Sequence, residues 1–351
     1  MMSRKLIVIV SASMVAALIA VVLFLVFRKP ELEDQPSADT PMSRIKGPSR
    51  GCRTCHKAIY DEWASSRHAR AWLNPVFKEL SNNYTRTECL SCHAPDRLLV
   101  TGFGNPPVLR PKDLAEGVNC IACHEVRLNV MRGPYDIESQ VGHANEQDAS
   151  YRFSVSLCAS CHGIRMVQGH NKVTEFNNTL FAKQGFTCGN CHMPFIERPL
   201  STTTRQITRF TGDHRALGGR DVELLKKATE LSAKVEGGRL QVAVKSLNVG
   251  HFLPGGVETI PDVRFRSVIV DTEVMDKDGA RVLHKQEVFA KPIGSEPEER
   301  LRPGETRTFS YDLGVKSGEA RVRLLYKLYS DAPDEEATVM AEAKLSFKSE
   351  K

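Results

Sequence analysis

One five-residue pattern, Cys-x-x-Cys-His, occurs five times between residues 52 and 192 and uses all ten cysteines of the 351-residue chain. Two thiols at this spacing can add to the two vinyl groups of a porphyrin, while the adjacent histidine supplies an axial nitrogen to the iron. The pattern therefore predicts five covalently bound c-type haems. Numbered motif 1 to motif 5 in chain order, the copies comprise Cys52, Cys55 and His56; Cys89, Cys92 and His93; Cys120, Cys123 and His124; Cys158, Cys161 and His162; and Cys188, Cys191 and His192.

Paired cysteines also serve zinc sites and redox disulfides. A tetrahedral zinc ion takes four ligands, so five pairs leave one over, and zinc chemistry does not require a histidine after every second cysteine. Disulfides would account for the even cysteine count, but a two-residue loop removes little chain entropy and stabilises a fold weakly. Haem attachment is the interpretation that explains both the cysteine pairs and the histidines.

Six histidines lie outside the motifs, and they decide what the opposite face of each iron can do. A second imidazole saturates the iron, which suits it to electron transfer and not to substrate binding. Five of the six would suffice, and His284, in a predicted strand, is the best candidate for an ordinary surface histidine. The candidate distal ligands are therefore His68, His143, His170, His214 and His251.

The spacing of His68 carries a geometric constraint. It lies 12 residues after His56, and on a continuous helix that separation is about 18 Å. Two axial nitrogens of one iron lie much closer together. If the segment is one unbroken helix, His68 must ligate a neighbouring haem and not the haem of motif 1.

Four stretches resemble multihaem cytochromes c related to hydroxylamine oxidoreductase, the tetrahaem electron carriers of nitrifiers, and cytochrome c nitrite reductase. The resemblance implies distal ligation by His68, His214 and His251, since the last two stretches are similar to ligand-bearing segments of that group. The stretches are Trp63-x-x-Ser66-x-His68, Gln184-Gly-Phe-Thr-Cys188-x-x-Cys191-His192-Met193-Pro194, Asp213-His214-Arg215-Ala-Leu-Gly218-Gly219 and Asn248-x-Gly250-His251-x-x-Pro254-x-Gly256.

Two departures from that group bear on catalysis. The nitrite reductases use lysine in place of the motif histidine at their catalytic haem, whereas all five motifs here end in histidine. The hydroxylamine oxidoreductases have more haems and a tyrosine cross-link to a catalytic porphyrin, and the sequence shows no counterpart. The resemblance therefore implies an electron carrier more than a catalyst.

The N-terminus contains an uncharged run from Leu6 to Phe27. At about 1.5 Å per residue this run reaches roughly 33 Å, enough to cross a bilayer. A cleaved signal peptide is the competing interpretation, although its apolar part is usually shorter. We predict an anchor at 1–28 and a proline-containing linker at 29–50. Haem attachment is completed outside the cytoplasmic membrane in families with this motif, so the predicted protein is single-pass, with its bulk facing the periplasm or cell exterior.

The remaining chain divides in composition near residue 237. Residues 51–236 combine the motifs with few long apolar runs, which predicts a mainly α/loop pentahaem domain closed by a helix from Asp221 to Lys234. Residues 237–351 predict an all-β, sandwich-like domain. The fold class is thus an N-terminal transmembrane helix, a multihaem domain and a β domain. Its strand segments lie near 239–246, 263–274, 281–290, 306–312, 320–330 and 338–347.

Charge argues against a nucleic-acid partner. The formal net charge is +6, but each ferric haem with two propionates contributes roughly −1, so five haems leave about +1. We predict an electron relay between a redox protein donor and acceptor, and likeness to membrane tetrahaem quinol dehydrogenases implies a quinol-linked membrane complex as one context. Two alternatives are an oxidoreductase with one open haem acting on a small nitrogen or sulfur oxyanion, with His170 or His143 as proton donor, and a subunit of an extracellular cytochrome assembly.

Overall fold

The predicted membrane anchor is not supported by the part of the chain that the structure describes. The longest helix among the described residues has nine residues and is about 14 Å long, whereas a bilayer core is about 30 Å thick. None of the described helices is long and apolar enough to cross a membrane, and the predicted anchor at 1–28 lies outside the described residues. We therefore withdraw both the transmembrane helix and the single-pass localisation in the cytoplasmic membrane. The computed structural model describes residues 36–137, 142–163, 171–202, 208–255, 266–290 and 299–348.

Short helices carry the attachment motifs. In motifs 2 to 5 a helix ends at the motif histidine, because one helical turn brings both thiols and the imidazole to the same side. The helix of motif 3 begins at the cap residue Asn119, whose side chain accepts a hydrogen bond from the backbone of Ala122. The helices are α1 Ser49–Cys52, α2 Lys57–Ser65, α3 Pro75–Leu80, α4 Thr87–His93, α5 Leu98–Thr101, α6 Cys120–His124, α7 Ser150–Phe153, α8 Ser156–His162, α9 Lys172–Asn177, α10 Leu180–Lys183, α11 Cys188–His192 and α12 Val222–Ala228.

Two small sheets interrupt these helices, so the prediction of a mainly α/loop haem domain was wrong. In the first sheet β2 pairs in parallel with β3, and Arg132 forms an ion pair with Glu146 across that pair at 2.6 Å. The second sheet is an antiparallel hairpin. Segments of three to five residues are too short to show alternation, so only their pairing reveals them. The strands are β1 Glu125–Arg127, β2 Val130–Gly133, β3 Ala144–Gln147, β4 Phe195–Pro199 and β5 Thr208–Gly212.

The helix predicted from Asp221 to Lys234 ends early. Helix α12 stops at Ala228, and the chain continues directly as strand β6, Thr229–Glu236. Leu231 and other apolar residues alternate with polar ones along β6, which is the period of a strand. The sequence did not reveal the alternation along β6 because Leu231, its first apolar residue, also fits the helical spacing of the apolar residues in α12.

Strands β6 to β12 form two antiparallel sheets that share one hydrophobic core. The sheet orders are β10-β7-β6 and β12-β11-β8-β9. The core also includes Leu225 and Ala228 of α12, which lie before the segment 237–351 that was predicted to be all-β, so a helix outside that segment packs against its strands. The six predicted strand segments are confirmed as β7 Arg239–Ser246, β8 Ser267–Asp276, β9 Arg281–Phe289, β10 Thr306–Asp312, β11 Ser317–Lys327 and β12 Thr338–Lys348.

A second core lies beside motif 2. Trp72 is fully buried and stacks on Tyr84 with ring centroids 4.6 Å apart. Phe77 packs against both rings and also lies parallel to the imidazole of His93 at 3.5 Å. The aromatic cluster thereby fixes one face of a motif histidine.

Candidate functional site

Four histidines outside the motifs each face a motif histidine. The pairs come from distant parts of the chain, and three of them join histidines more than 80 positions apart in the sequence. All four pairs share nearly one spacing between ring centroids. The separations are 6.1 Å for His56 and His143, 6.3 Å for His162 and His68, 6.2 Å for His124 and His214, and 6.1 Å for His192 and His251.

This spacing fits a metal ion between two imidazoles. An imidazole nitrogen binds such a metal at about 2 Å and lies about 1 Å from its ring centroid, so two opposed imidazoles place their centroids roughly 6 Å apart. Among the described residues, no three or more His, Cys, Asp or Glu are grouped so that they could hold a metal by themselves. A porphyrin attached through the motif cysteines would supply nitrogen ligands in addition to the two imidazoles.

The backbone orients the motif imidazoles. The Nδ1 atom of His124 is 2.8 Å from the carbonyl oxygen of Arg132, and that of His192 is 2.6 Å from the carbonyl oxygen of Leu217. A carbonyl oxygen only accepts hydrogen bonds, so the ring proton is on Nδ1 and the Nε2 lone pair is free. His56 and His93 make the same contact with Leu200 and Ala71, at 2.6 and 3.0 Å.

Three of the facing imidazoles are oriented by the same contact. The Nδ1 atoms of His214 and His251 donate to the carbonyl oxygens of Gly212 and Phe252, at 2.8 and 2.9 Å. The corresponding contact of His143, to the carbonyl oxygen of Ala144, is longer at 3.3 Å. Each of these imidazoles therefore presents Nε2 for ligation.

Burial favours the neutral form of four imidazoles. Desolvation by burial, together with the neighbouring His124 and Arg198, lowers the pKa of His214 to about 3. Burial likewise lowers the pKa of His251 to about 4, and it lowers the pKa values of His68 and His124. Only a neutral imidazole can donate a lone pair to iron, so the environment favours the ligating form.

The small sheets place two of the facing histidines. His143 directly precedes β3, which pairs with β2, and β2 also contains the carbonyl group that orients His124. His214 follows the end of β5 by two residues. Strand pairing thus positions the loops that carry His143 and His214.

His251 lies in the loop that follows β7, where the β-rich region meets the haem-binding region. A Cβ atom at Gly250 would lie 2.7 Å from the ring of Phe176 in α9, so only glycine lets the loop approach that helix this closely. A backbone bridge between Leu253 and Leu301 closes the other side of the loop. The loop thereby places His251 opposite His192 of motif 5.

The other histidines outside the motifs to be located are His68, His284 and His170. His68 faces His162 although α2 ends at Ser65, so it lies opposite a motif other than its own without a continuous helix. His284 binds the buried Asp271 through Nε2 at 2.9 Å, within the β-rich region. His170 lies outside the described residues.

Thiols of different motifs lie next to one another. The Cys52 thiol makes a hydrogen-bond contact with the Cys120 thiol, which lowers the pKa of Cys52 and, together with burial, raises the pKa of Cys120. The same kind of contact joins Cys92 to Cys161 and Cys158 to Cys188. All ten thiols are free of disulfides. Thioether formation would remove the titratable protons of these thiols, so their pKa values do not apply to the haem-bound protein. The contacts show that motif 1 adjoins motif 3, that motif 2 adjoins motif 4, and that motif 4 adjoins motif 5.

Sequence reasoning missed the side chains that support the facing histidines. Glu62 accepts a hydrogen bond from the backbone N–H of His214 at 2.9 Å, and Glu175 accepts one from Phe252 at 3.0 Å. Both carboxylates belong to helices that lie far from these loops in the sequence. The only local signal was a glutamate on a short helix, which is common on protein surfaces.

Comparisons with known proteins support haem attachment by this chain. Residues 51–125, which contain motifs 1 to 3, match the family model described as cytochrome c554 and c-prime. Together with the five motifs, the comparisons define the chain as a multihaem c-type cytochrome with covalently bound haem. The predicted class is confirmed, whereas the narrower relationship to hydroxylamine oxidoreductase and nitrite reductase stays a prediction.

Two individual proteins are similar to this chain. Over 103 residues it is 31% identical to cytochrome c-554 of Nitrosomonas europaea, a match that spans 25% of this chain and 40% of that protein. A penta-heme cytochrome c552 from Thermochromatium tepidum has the same fold, with a TM-score of 0.61 over 88% of this chain and 100% of that chain at 19% identity.

Proposed function

We propose that this protein is a pentahaem electron relay in which each iron is held between two histidine imidazoles. The observation that carries the proposal is the common spacing of 6.1 to 6.3 Å between the rings of four imidazole pairs. Each pair contains one motif histidine, so the spacing links four of the five attachment sites to a distal ligand.

We assign His170 as the distal ligand of motif 2, opposite His93. Four of the six histidines outside the motifs already face motifs 1, 3, 4 and 5, and His284 binds Asp271 in the β-rich region. His170 is the histidine that remains. The five haems expected from the five motifs would then all have two imidazole ligands.

The protein side chains would hold and tune the cofactor. When bound, haem supplies an iron that exchanges one electron between its ferric and ferrous states. The ten cysteines would anchor five haems, and the paired imidazoles would ligate the iron, which would leave no ligation site for water or substrates. Carbonyl oxygens such as those of Arg132 and Leu217 fix the ring orientations of His124 and His192.

The attachment sites form a branched series. Thiol contacts support adjacency of motifs 1 and 3, 2 and 4, and 4 and 5. The influence of Cys123 on the pKa values of Cys158 and Cys161 supports adjacency of motifs 3 and 4. Motif 4 therefore adjoins motifs 2, 3 and 5, and electrons would pass between such neighbouring motifs.

We propose redox proteins as the electron donor and acceptor. The quinol-linked membrane complex rested on the predicted anchor and is not carried further. The charge estimate of about +1 for the ferric pentahaem protein still gives no reason to expect a nucleic-acid partner.

Spectroscopy of the purified ferric holoprotein tests this function. Intact mass should show five covalent haems, and electron paramagnetic resonance with magnetic circular dichroism should show five low-spin centres of bis-histidine type. A high-spin centre that binds nitrite or cyanide would contradict the relay and support the oxidoreductase alternative. Fewer than five attached haems would contradict the haem count.

A further inference from the structure

Two of the loops that carry distal histidines are each held by a carboxylate from a helix of the haem-binding region. Glu175 of α9 accepts the N–H of Phe252, the residue after His251, at 3.0 Å. Glu62 of α2 accepts the N–H of His214 itself at 2.9 Å. In both cases the hydrogen bond fixes the backbone that presents the imidazole.

Glu175 belongs to a nearly buried charge cluster. Its Oε1 atom lies 3.0 Å from Lys172 Nζ and 3.2 Å from Arg300 Nη2. The side chains of Glu175 and Arg300 are 14% and 4% exposed, so water screens these charges weakly. Arg300 also packs over the ring of Phe252, 4.9 Å from its centroid. The cluster therefore contacts the His251 loop through a hydrogen bond and through the phenyl ring.

Glu62 has a matching arrangement. Its Oε1 atom accepts a hydrogen bond from Arg198, and the two side chains are 18% and 10% exposed. Arg198 in turn donates to the carbonyl oxygen of Gly212 at 2.8 Å, and the same oxygen accepts the Nδ1 proton of His214. The carboxylate and the arginine thus hold both the backbone and the ring of His214.

From these contacts we infer that Glu62 and Glu175 are positioning residues that set the orientation and the electrostatic environment of His214 and His251. The inference rests on the proposed ligation by these two histidines. A negative charge near an iron centre favours its ferric form, so each carboxylate lowers the reduction potential of one haem. Because the two carboxylates support different loops, each acts on a different haem.

The test uses the full-length holoprotein with Glu175→Gln and Glu62→Gln. Glutamine keeps the size and a carbonyl acceptor but removes the charge. At a fixed applied potential, each variant should raise the reduced-to-oxidised ratio of one haem about tenfold, which is 59 mV for a one-electron couple. The affected haem should differ between the variants, and the double variant should show both shifts.

Glu223→Gln is the matched control. Glu223 pairs with Lys226 three residues away, as Lys172 pairs with Glu175, but its side chain is 71% exposed on α12. Water screens that charge, so this variant should leave all potentials unchanged. Shifts of equal size in Glu223→Gln and Glu175→Gln would overturn the inference.

Two further variants separate this inference from the proposed function. If His251→Ala changes one haem spectrum while Glu175→Gln leaves every potential unchanged, the positioning role is wrong and the ligation stands. If His251→Ala and His214→Ala leave the spectra unchanged, the proposed ligation itself fails. Should Glu175→Gln lose haem, Glu175→Asp keeps the charge with a shorter reach, and we expect a near-normal potential with altered paramagnetic resonance g-values. Unaltered g-values in that variant would overturn the inference.

Discussion

The imidazole of His251, carried by the loop after β7, lies nearly parallel to that of His192, with ring centroids 6.1 Å apart and ring planes at 10°. One residue belongs to the β-rich region and the other ends helix α11 in the haem-binding region. Their relationship links the two regions through a single proposed iron site. Under the proposed ligation, the β-rich region would supply part of a redox centre.

Replacing His251 with alanine should convert one haem from low spin to high spin, because the iron bound to His192 would lose its distal nitrogen. The ferric spectrum should gain one high-spin signal, with haem content unchanged. His284→Ala is the control, since His284 also lies in the β-rich region but binds Asp271. An unchanged spectrum for His251→Ala would show that this loop does not ligate iron.

His170→Ala should open the haem of motif 2 and no other. A single new high-spin centre that binds cyanide is the expected result, measured by magnetic circular dichroism of the ferric protein. Combining His170→Ala with His251→Ala should give two such centres. If His170→Ala retains every low-spin signal, the assignment of His170 to His93 is wrong.

Phe77→Ala should lower the free energy of unfolding by about 3–5 kcal/mol, because it removes a buried ring and leaves a cavity. Phe77 also stacks on His93 at 3.5 Å, so the low-spin signal of one haem should broaden. Guanidinium unfolding of the holoprotein measures the first effect and paramagnetic resonance the second. Phe77→Leu retains apolar volume and should lose less stability. Equal losses in both variants would contradict the cavity explanation.

Asp271→Asn should destabilise the β-rich region by about 1–3 kcal/mol at pH 7, because a buried charged acceptor is lost. Burial alone raises the pKa of Asp271, but hydrogen bonds from Gln286, His284 and Arg323 hold it below its usual range. A carboxyl whose pKa is lower in the folded state stabilises the fold above its unfolded pKa of about 4 and loses that effect as the pH falls through the folded pKa.

The difference between wild type and Asp271→Asn should therefore narrow below about pH 4. Calorimetry from pH 7 downwards measures it. Asp278→Asn is the control, because Asp278 is exposed and pairs only with the neighbouring Lys277 among the ion pairs of the described residues. A constant difference at all pH values would show that the charge of Asp271 is not responsible.

The sequence by itself determined the attachment chemistry, because the two thiols and the proximal imidazole of each motif lie within five residues. It also determined the strands β7 to β12, whose alternating or β-branched segments are long enough to be seen without the fold. Local interactions were sufficient in both cases.

Only the tertiary structure decided which histidine faces which motif. His143 reaches His56, and His214 reaches His124, through strands too short to leave a pattern in the sequence. Their positions depend on pairing between segments that are distant along the chain, and so do the supporting contacts of Glu62 and Glu175. Composition and spacing give the number of available imidazoles, but packing sets the distance between two rings.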